Sequence, residues 1–331
     1  MKKKVFISLS FPPEVISNFD SCVQHLKDNG FEVTIDPRYR TLSQAELVEQ
    51  LDGVYAFVAS AETVDDALLE HTPELKIVSR MGVGYDKVDV DALNRRGVAL
   101  TITPGANADA VAEFAVSLMM AATRKVKQID AFTHQGVWKT HFGCSVSGKT
   151  LGIIGLGNIG KKVVKYLSGF DMRVISYDMF PNAEYAAAHN ITMLPLDDVI
   201  QQSDYLFIHA PYTKETYHLM NAERFAMMKK GSFFINCARG EIVDETALYE
   251  ALKSGHLAGA GLDVFEQEPI DMSNPLLTLE NVVISSHTAG MTFEGRKKVI
   301  DIAFQNIIDL SNGEKPKGLI NPQALEKNET I

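Results

Sequence analysis

At 331 residues the chain exceeds one ordinary domain, and its 46% hydrophobic and 22% charged content is that of a folded globular protein, not a disordered or fibrous one. A formal net charge of -10, relieved only by short basic runs at 2–4 and 124–127, argues against nucleic acid as a partner, and no apolar stretch reaches membrane-spanning length. Cys22, Cys144 and Cys237 form no CxxC pair and no even-numbered framework, and the apolar run 5–9 is too short for a secretory segment, so the expectation is a cytoplasmic protein with free thiols and no metal.

In chain order, residues 5–9 read as a strand, 14–29 as a helix stopped by Gly30, and 32–35 as a second strand. A helix opens at Ser43, where Glu46 three residues on completes a capping box. Strands at 55–59, 76–79 and 98–102 follow, and the alternation of strands with helices predicts a parallel sheet. Residues 107–124, dense in apolar side chains from Val111 to Met120, form a helix buried on most sides and expected to bridge two domains. A second series of six strands (151–154, 173–178, 205–209, 232–236, 261–264 and 282–285) runs in a doubly wound order. The last long helix, 292–310, carries an apolar face at Val299, Ile302, Ala303, Ile307 and Leu310, with the polar Asn306 among them. Packing that face back on the first series makes the first domain discontinuous.

Gly155, Gly157 and Gly160 form a GxGxxG loop after the strand 151–154 and open a helix. In that context the glycines provide a tight turn, close approach to a pyrophosphate and tight helix packing, while the helix N-terminus offers N–H groups to the anion. Asp178 ends the next strand, where a carboxylate accepts hydrogen bonds from ribose hydroxyls and repels a 2'-phosphate; no cation follows in Met179, Phe180 or Pro181. NAD is therefore expected over NADP.

Three further segments carry a family likeness: Asn236-Cys237-Ala238-Arg239-Gly240, the stretch Gly261-Leu-Asp263 continuing to Glu268-Pro269, and His287-Thr-Ala-Gly290. With Met81-Gly82-Val83-Gly84, the glycine loop and His209-Ala210-Pro211, they make the chain resemble the D-isomer-specific 2-hydroxyacid dehydrogenases along nearly its whole length. The resemblance implies an α/β fold of two doubly wound parallel-sheet domains. One is a Rossmann NAD-binding domain (101–292), the other a flavodoxin-like discontinuous substrate domain (1–100 plus 293–331). It implies Arg239 on the substrate carboxylate, His287 as acid/base and Glu268 tuning it. Backbone groups of Met81, Gly82, Val83 and Gly84, with Arg80 nearby, would meet the substrate. Asp263 would face the nicotinamide carboxamide, and Asn158, Ile159, His209, Ala210, Pro211, Cys237, Ala238 and Gly290 would line the dinucleotide. It implies a homodimer too, with 135–142 around the single Trp138 as part of its arm.

The chemistry suits these residue types. Hydride addition to a carbonyl carbon builds negative charge on oxygen, which a histidine within hydrogen-bond reach can protonate, and a neighbouring carboxylate fixes the ring and favours its protonated form. Arginine clamps a carboxylate through two parallel bonds. Phosphoglycerate dehydrogenases of this family typically carry an arginine where this chain has Ala59, and no further regulatory domain is expected after residue 331, so a small unphosphorylated 2-oxo acid is expected. Phosphoglycerate, with Arg80 to meet a phosphate, stays an alternative, as does a non-catalytic NADH-sensing interaction protein of the same fold.

Overall fold

The computed structural model describes residues 2–15 and 19–326, which divide into two compact units, Met1–Asn107 with Met291–Ile331, and Ala108–Gly290. Of the expected helix 14–29, a 3-10 turn at Pro13–Val15 and the helix Phe19–Asp28 are present; residues 16–18 lie outside the described residues.

In the first unit the strands β1 (Lys3–Ile7), β2 (Phe31–Ile35), β3 (Ala56–Ala59), β4 (Ile77–Arg80) and β5 (Ala99–Thr101) form an all-parallel sheet in the order β2-β1-β3-β4-β5. This is the flavodoxin-like order, with its switch point between β1 and β3. Helices cover both faces, so the strands are apolar on both sides, as a parallel sheet requires. Val5, Ile7, Val58 and Ile77 pack with Val299, Ala303 and Ile307, while Phe6, Phe57 and Val78 pack with Leu47, Leu68 and Leu93. The capping box forms as expected, Ser43 and Glu46 exchanging bonds at the start of the helix Gln44–Gln50. The helix Phe293–Ser311 belongs to this unit and seals one face; Asn306 is buried there, its amide donating to the Ile102 carbonyl at 3.2 Å.

In the second unit the strands are β6 (Thr150–Ile154), β7 (Arg173–Tyr177), β8 (Ile191–Met193), β9 (Tyr205–Ile208), β10 (Phe233–Asn236), β11 (Gly259–Leu262) and β12 (Val282–Ile284). They pair in parallel in the order β12-β11-β10-β9-β6-β7-β8, which is the doubly wound dinucleotide order extended by one strand at the β12 edge. The sheet thus has seven strands, not the six expected. The one not expected, β8, is a three-residue edge strand pairing with β7, with only Ile191 fully buried, too short for an alternation signal. The helix Ala108–Thr123, expected to bridge two domains, falls wholly in this unit and packs Val111, Ala115, Leu118 and Met119 against the sheet core of Leu151, Ile153, Phe207 and Ile235.

The unit boundaries lie at 107/108 and 290/291, whereas the sequence suggested 100/101 and 292/293. Hydrogen bonds explain both shifts. The Ile102 N–H donates to Gly318 O at 2.9 Å and the Thr103 N–H to Gly82 O at 3.0 Å, holding this stretch to the first unit. At the other passage Thr292 caps the helix Phe293–Ser311, accepting from Gly295 N–H, and so goes with that helix. Among the described residues no helix is long and apolar enough to cross a membrane, and no group of three or more His, Cys, Asp or Glu could hold a metal ion.

Candidate active site

The strand order of the second unit sets its candidate site residues in a row, because each follows the carboxyl end of a parallel strand. Across the sheet stand His287 after β12, Asp263 and Glu268 after β11, Cys237, Ala238 and Arg239 after β10, His209 after β9, the glycine loop after β6 and Asp178 after β7. Neighbouring strands are roughly 5 Å apart, so residues remote in sequence become a line of functional groups.

The dinucleotide end of the row fits its ligand. Gly155 has φ +95°, and a Cβ there would lie 2.7 Å from the His209 carbonyl carbon; a Cβ on Gly160 would lie 2.4 Å from Gly155 O. Gly157 by contrast faces open space and caps the helix Asn158–Leu167 with no side-chain bond, so the first-turn N–H groups, those of Asn158 and Ile159 included, are available to an anion. Asp178 accepts from Leu156 N–H at 2.7 Å and Phe180 N–H at 2.8 Å, fixing the loop while its remaining lone pairs stay available to hydroxyls. Both His209 ring nitrogens are buried without a partner among the described residues, and burial pushes the imidazole down to about 4, so a neutral ring with unmet polar atoms stands beside the glycine loop. The next loop is pinned by Thr216, whose hydroxyl donates to Pro211 O at 2.9 Å, leaving Ala210 half-buried at its start. Burial and the Asp263 charge push the Cys237 thiol well up, which suits a lining residue and not a nucleophile.

At the other end of the row, His287 Nδ1 and Glu268 Oε2 are 2.7 Å apart. The pair is partly open to solvent, with side-chain exposures of 49% and 36%. Burial pushes the Glu268 carboxyl up, but the His287 hydrogen bond and charge, the Phe265 N–H at 3.1 Å and the Arg239 charge outweigh it and hold the group below the usual carboxylate range. Gly240 lets these groups approach: a Cβ there would sit 1.8 Å from the Phe265 carbonyl carbon, so only glycine allows the Arg239 turn to press against the backbone leading to Glu268. Arg239 is half-buried and donates from Nη1 to Ala238 O at 2.7 Å, while Asn236 Nδ2 donates to Arg239 O at 2.9 Å.

His287 has φ +52°, the left-handed region that a side chain with a Cβ occupies at a cost of order 1 kcal/mol. Asp263 supplies the restraint. Its carboxylate, 1% exposed, accepts from Ser285 Oγ at 2.7 Å, Thr288 N–H at 2.8 Å and Ala289 N–H at 2.9 Å, while its carbonyl takes the His287 N–H at 2.7 Å. Asp263, expected to face a carboxamide, also organises the His287 turn from a buried position, and Gly290 lies in the turn that follows. Ser285 carries a weak sequence signal, its place at a strand end two residues before His287.

The expected substrate residues of the first unit follow β4. Arg80 is turned onto its own loop, Nε and Nη2 each 3.2 Å from Gly84 O. Met81 is buried and Val83 exposed.

Compared with known proteins, residues 116–289 match the family described as D-isomer specific 2-hydroxyacid dehydrogenase, NAD binding domain. The chain is 36% identical over 332 residues to a glyoxylate reductase of Korarchaeum cryptofilum, with 98% of each chain covered. It is 37% identical over 313 residues to a D-3-phosphoglycerate dehydrogenase of Archaeoglobus fulgidus, covering 94% of this chain but 59% of that one. Among solved structures, the TT0316 protein of Thermus thermophilus superposes with a TM-score of 0.86 at 31% identity, covering 96% of this chain and 99% of that chain.

Proposed function

Because the chain belongs to the D-isomer specific 2-hydroxyacid dehydrogenase family and transfers hydride between NAD(H) and a 2-oxo or 2-hydroxy acid, we propose that its substrate is a small unphosphorylated 2-oxo acid of the glyoxylate or hydroxypyruvate kind, with Arg239, Glu268 and His287 as the catalytic set. The 2.7 Å pair of His287 and Glu268 carries the assignment of roles. Bound NADH supplies the hydride. With Nδ1 engaged by Glu268, His287 presents Nε2 to the substrate oxygen and delivers the proton that balances the developing charge. In the second unit Arg239 offers a substrate carboxylate two charge-assisted bonds; in the first unit, taken by itself, the backbone N–H groups of Gly82, Val83 and Gly84 are groups suited to a carboxylate. Ala59 at the place of the phosphoglycerate-type arginine, and the end-to-end match to a glyoxylate reductase, favour the unphosphorylated substrate. Steady-state rates with glyoxylate, hydroxypyruvate, pyruvate and 3-phosphohydroxypyruvate test it. The expected order puts the first two ahead, and a preference for the phosphorylated acid overturns it. Binding of NADH without turnover of any acid would instead favour a sensor.

Asp178 should also set the cofactor preference, NADH over NADPH. In Asp178→Ala the ratio of kcat/KM for NADH to that for NADPH should fall roughly tenfold or more, because a charge facing the 2'-phosphate is gone. Both cofactors should weaken, since Leu156 and Phe180 lose their acceptor, so the ratio is the diagnostic quantity. Wild-type protein that uses NADPH as well as NADH would remove Asp178 from this role.

A cytoplasmic homodimer completes the proposal. The three cysteines are free thiols, as suits a reducing compartment. Trp138 and Phe142 are 94% and 85% exposed in the segment between the helix Val126–His134 and β6, a pair of large apolar surfaces that a second copy would cover. Light scattering should give twice the chain mass for wild type and one chain mass for Trp138→Ala with Phe142→Ala. A monomeric wild type, or a double variant that stays dimeric, would count against this arm.

A further inference from the structure

Arg296 lies on the apolar face of the helix Phe293–Ser311, one turn before Val299 and Ile300, and is only 8% exposed. Burial pushes its guanidinium down to about 10, so it is charged at neutral pH, and among the described residues no carboxylate pairs with it. It has a ring face and a carbonyl instead. The guanidinium sits 4.7 Å from the Phe11 ring centroid, Nη1 donates to Met81 O at 3.3 Å, and Nε is buried without a partner. A buried cation without a counter-charge costs stability, so its place in the fold calls for a reason.

The reason lies in the loop it touches. Every carbonyl of residues 81, 82 and 84 is turned back into the first unit: Met81 O onto Arg296, Gly82 O onto the Thr103 N–H at 3.0 Å, and Gly84 O onto Arg80 at 3.2 Å. Among the described residues the N–H groups of Gly82, Val83 and Gly84 have no acceptor. Consecutive free N–H groups over a buried positive charge make an anion-binding turn.

We propose that Arg296 is a positioning residue for the substrate carboxylate, holding the Met81 carbonyl back so that the N–H groups of Gly82, Val83 and Gly84 stay available to the anion, with its own charge beneath them. This rests on the reading that the 81–84 loop binds the carboxylate. Among the described residues the polar partners of Arg296 are a backbone carbonyl and a ring face, so its loss acts through the loop.

The experiment compares wild type, Arg296→Met, Arg296→Lys and Phe11→Leu. In Arg296→Met the KM for glyoxylate should rise about tenfold or more, with kcat and the Kd of NADH within about twofold, because binding common to ground and transition states is lost. Arg296→Lys, which keeps the cation, should recover part of that rise, and Phe11→Leu should show a smaller one; these two decide the matter if the methionine variant does not fold. An unchanged KM, or KM, kcat and NADH affinity failing together, overturns the proposal. Hydrogen exchange of residues 80–85 with NADH and oxamate separates it from the reading beneath it. If oxamate does not protect these amides in wild type, the loop does not bind carboxylate. If it protects them equally in wild type and Arg296→Met at equal KM, the loop binds and Arg296 does not position it.

Discussion

Reduction of the 2-oxo acid and oxidation of the hydroxy acid should both fall by about three orders of magnitude in His287→Ala, because one ring serves as acid in one direction and base in the other. NADH should still bind with near-normal affinity, as the glycine loop and Asp178 lie on other strand ends. Glu268→Gln separates the charge from the shape of the pair. The carboxylate 2.7 Å from Nδ1 holds the ring and balances the charge that passes through it, so removing that charge should lower kcat/KM for reduction by about tenfold or more. Oxidation passes through the same proton transfer in reverse, and its kcat/KM should fall with it. Glu268 itself titrates below the usual carboxylate range, so in wild type its charge persists until the pH falls through that depressed value. Measuring kcat/KM in both directions decides the point: values equal to wild type show that Glu268 does not act on this histidine.

Arg239→Lys should lower kcat/KM for the 2-oxo acid by about a hundredfold, a loss of roughly 2.7 kcal/mol of transition-state stabilisation. The lysine keeps the charge but offers one compact ammonium where the planar guanidinium makes two parallel bonds that also orient the carbonyl. The local fold should tolerate the change, since the tight approach there is made by Gly240 and the Asn236 amide holds the backbone carbonyl of residue 239. A melting temperature near wild type with the large kinetic loss would place the effect in substrate binding. Near-normal efficiency would remove Arg239 from the carboxylate.

The same contrast between chemistry and support runs through the rest of the molecule. Arg239, Glu268 and His287 are nominated by the sequence because their types suit a reaction; Asp263, Ser285 and Arg296 are recognisable only by what they touch. Arg296 nonetheless left a sequence signal, a cation in register with Val299, Ala303 and Ile307 on the apolar face of a helix. Such a residue must find a buried acceptor, but the pattern does not say which.

By itself the sequence determined the two series of alternating strands and helices, the capping box at Ser43 and Glu46, and the glycine loop, since each is written in neighbours a few residues apart. Tertiary structure decided the strand orders, the edge strand β8, the unit boundaries, the engagement of Asp263 with the His287 turn and that of Arg296 with Met81. These depend on which segments meet across tens to hundreds of residues. Packing and the satisfaction of buried polar groups select those meetings over the whole chain, and no local periodicity encodes them.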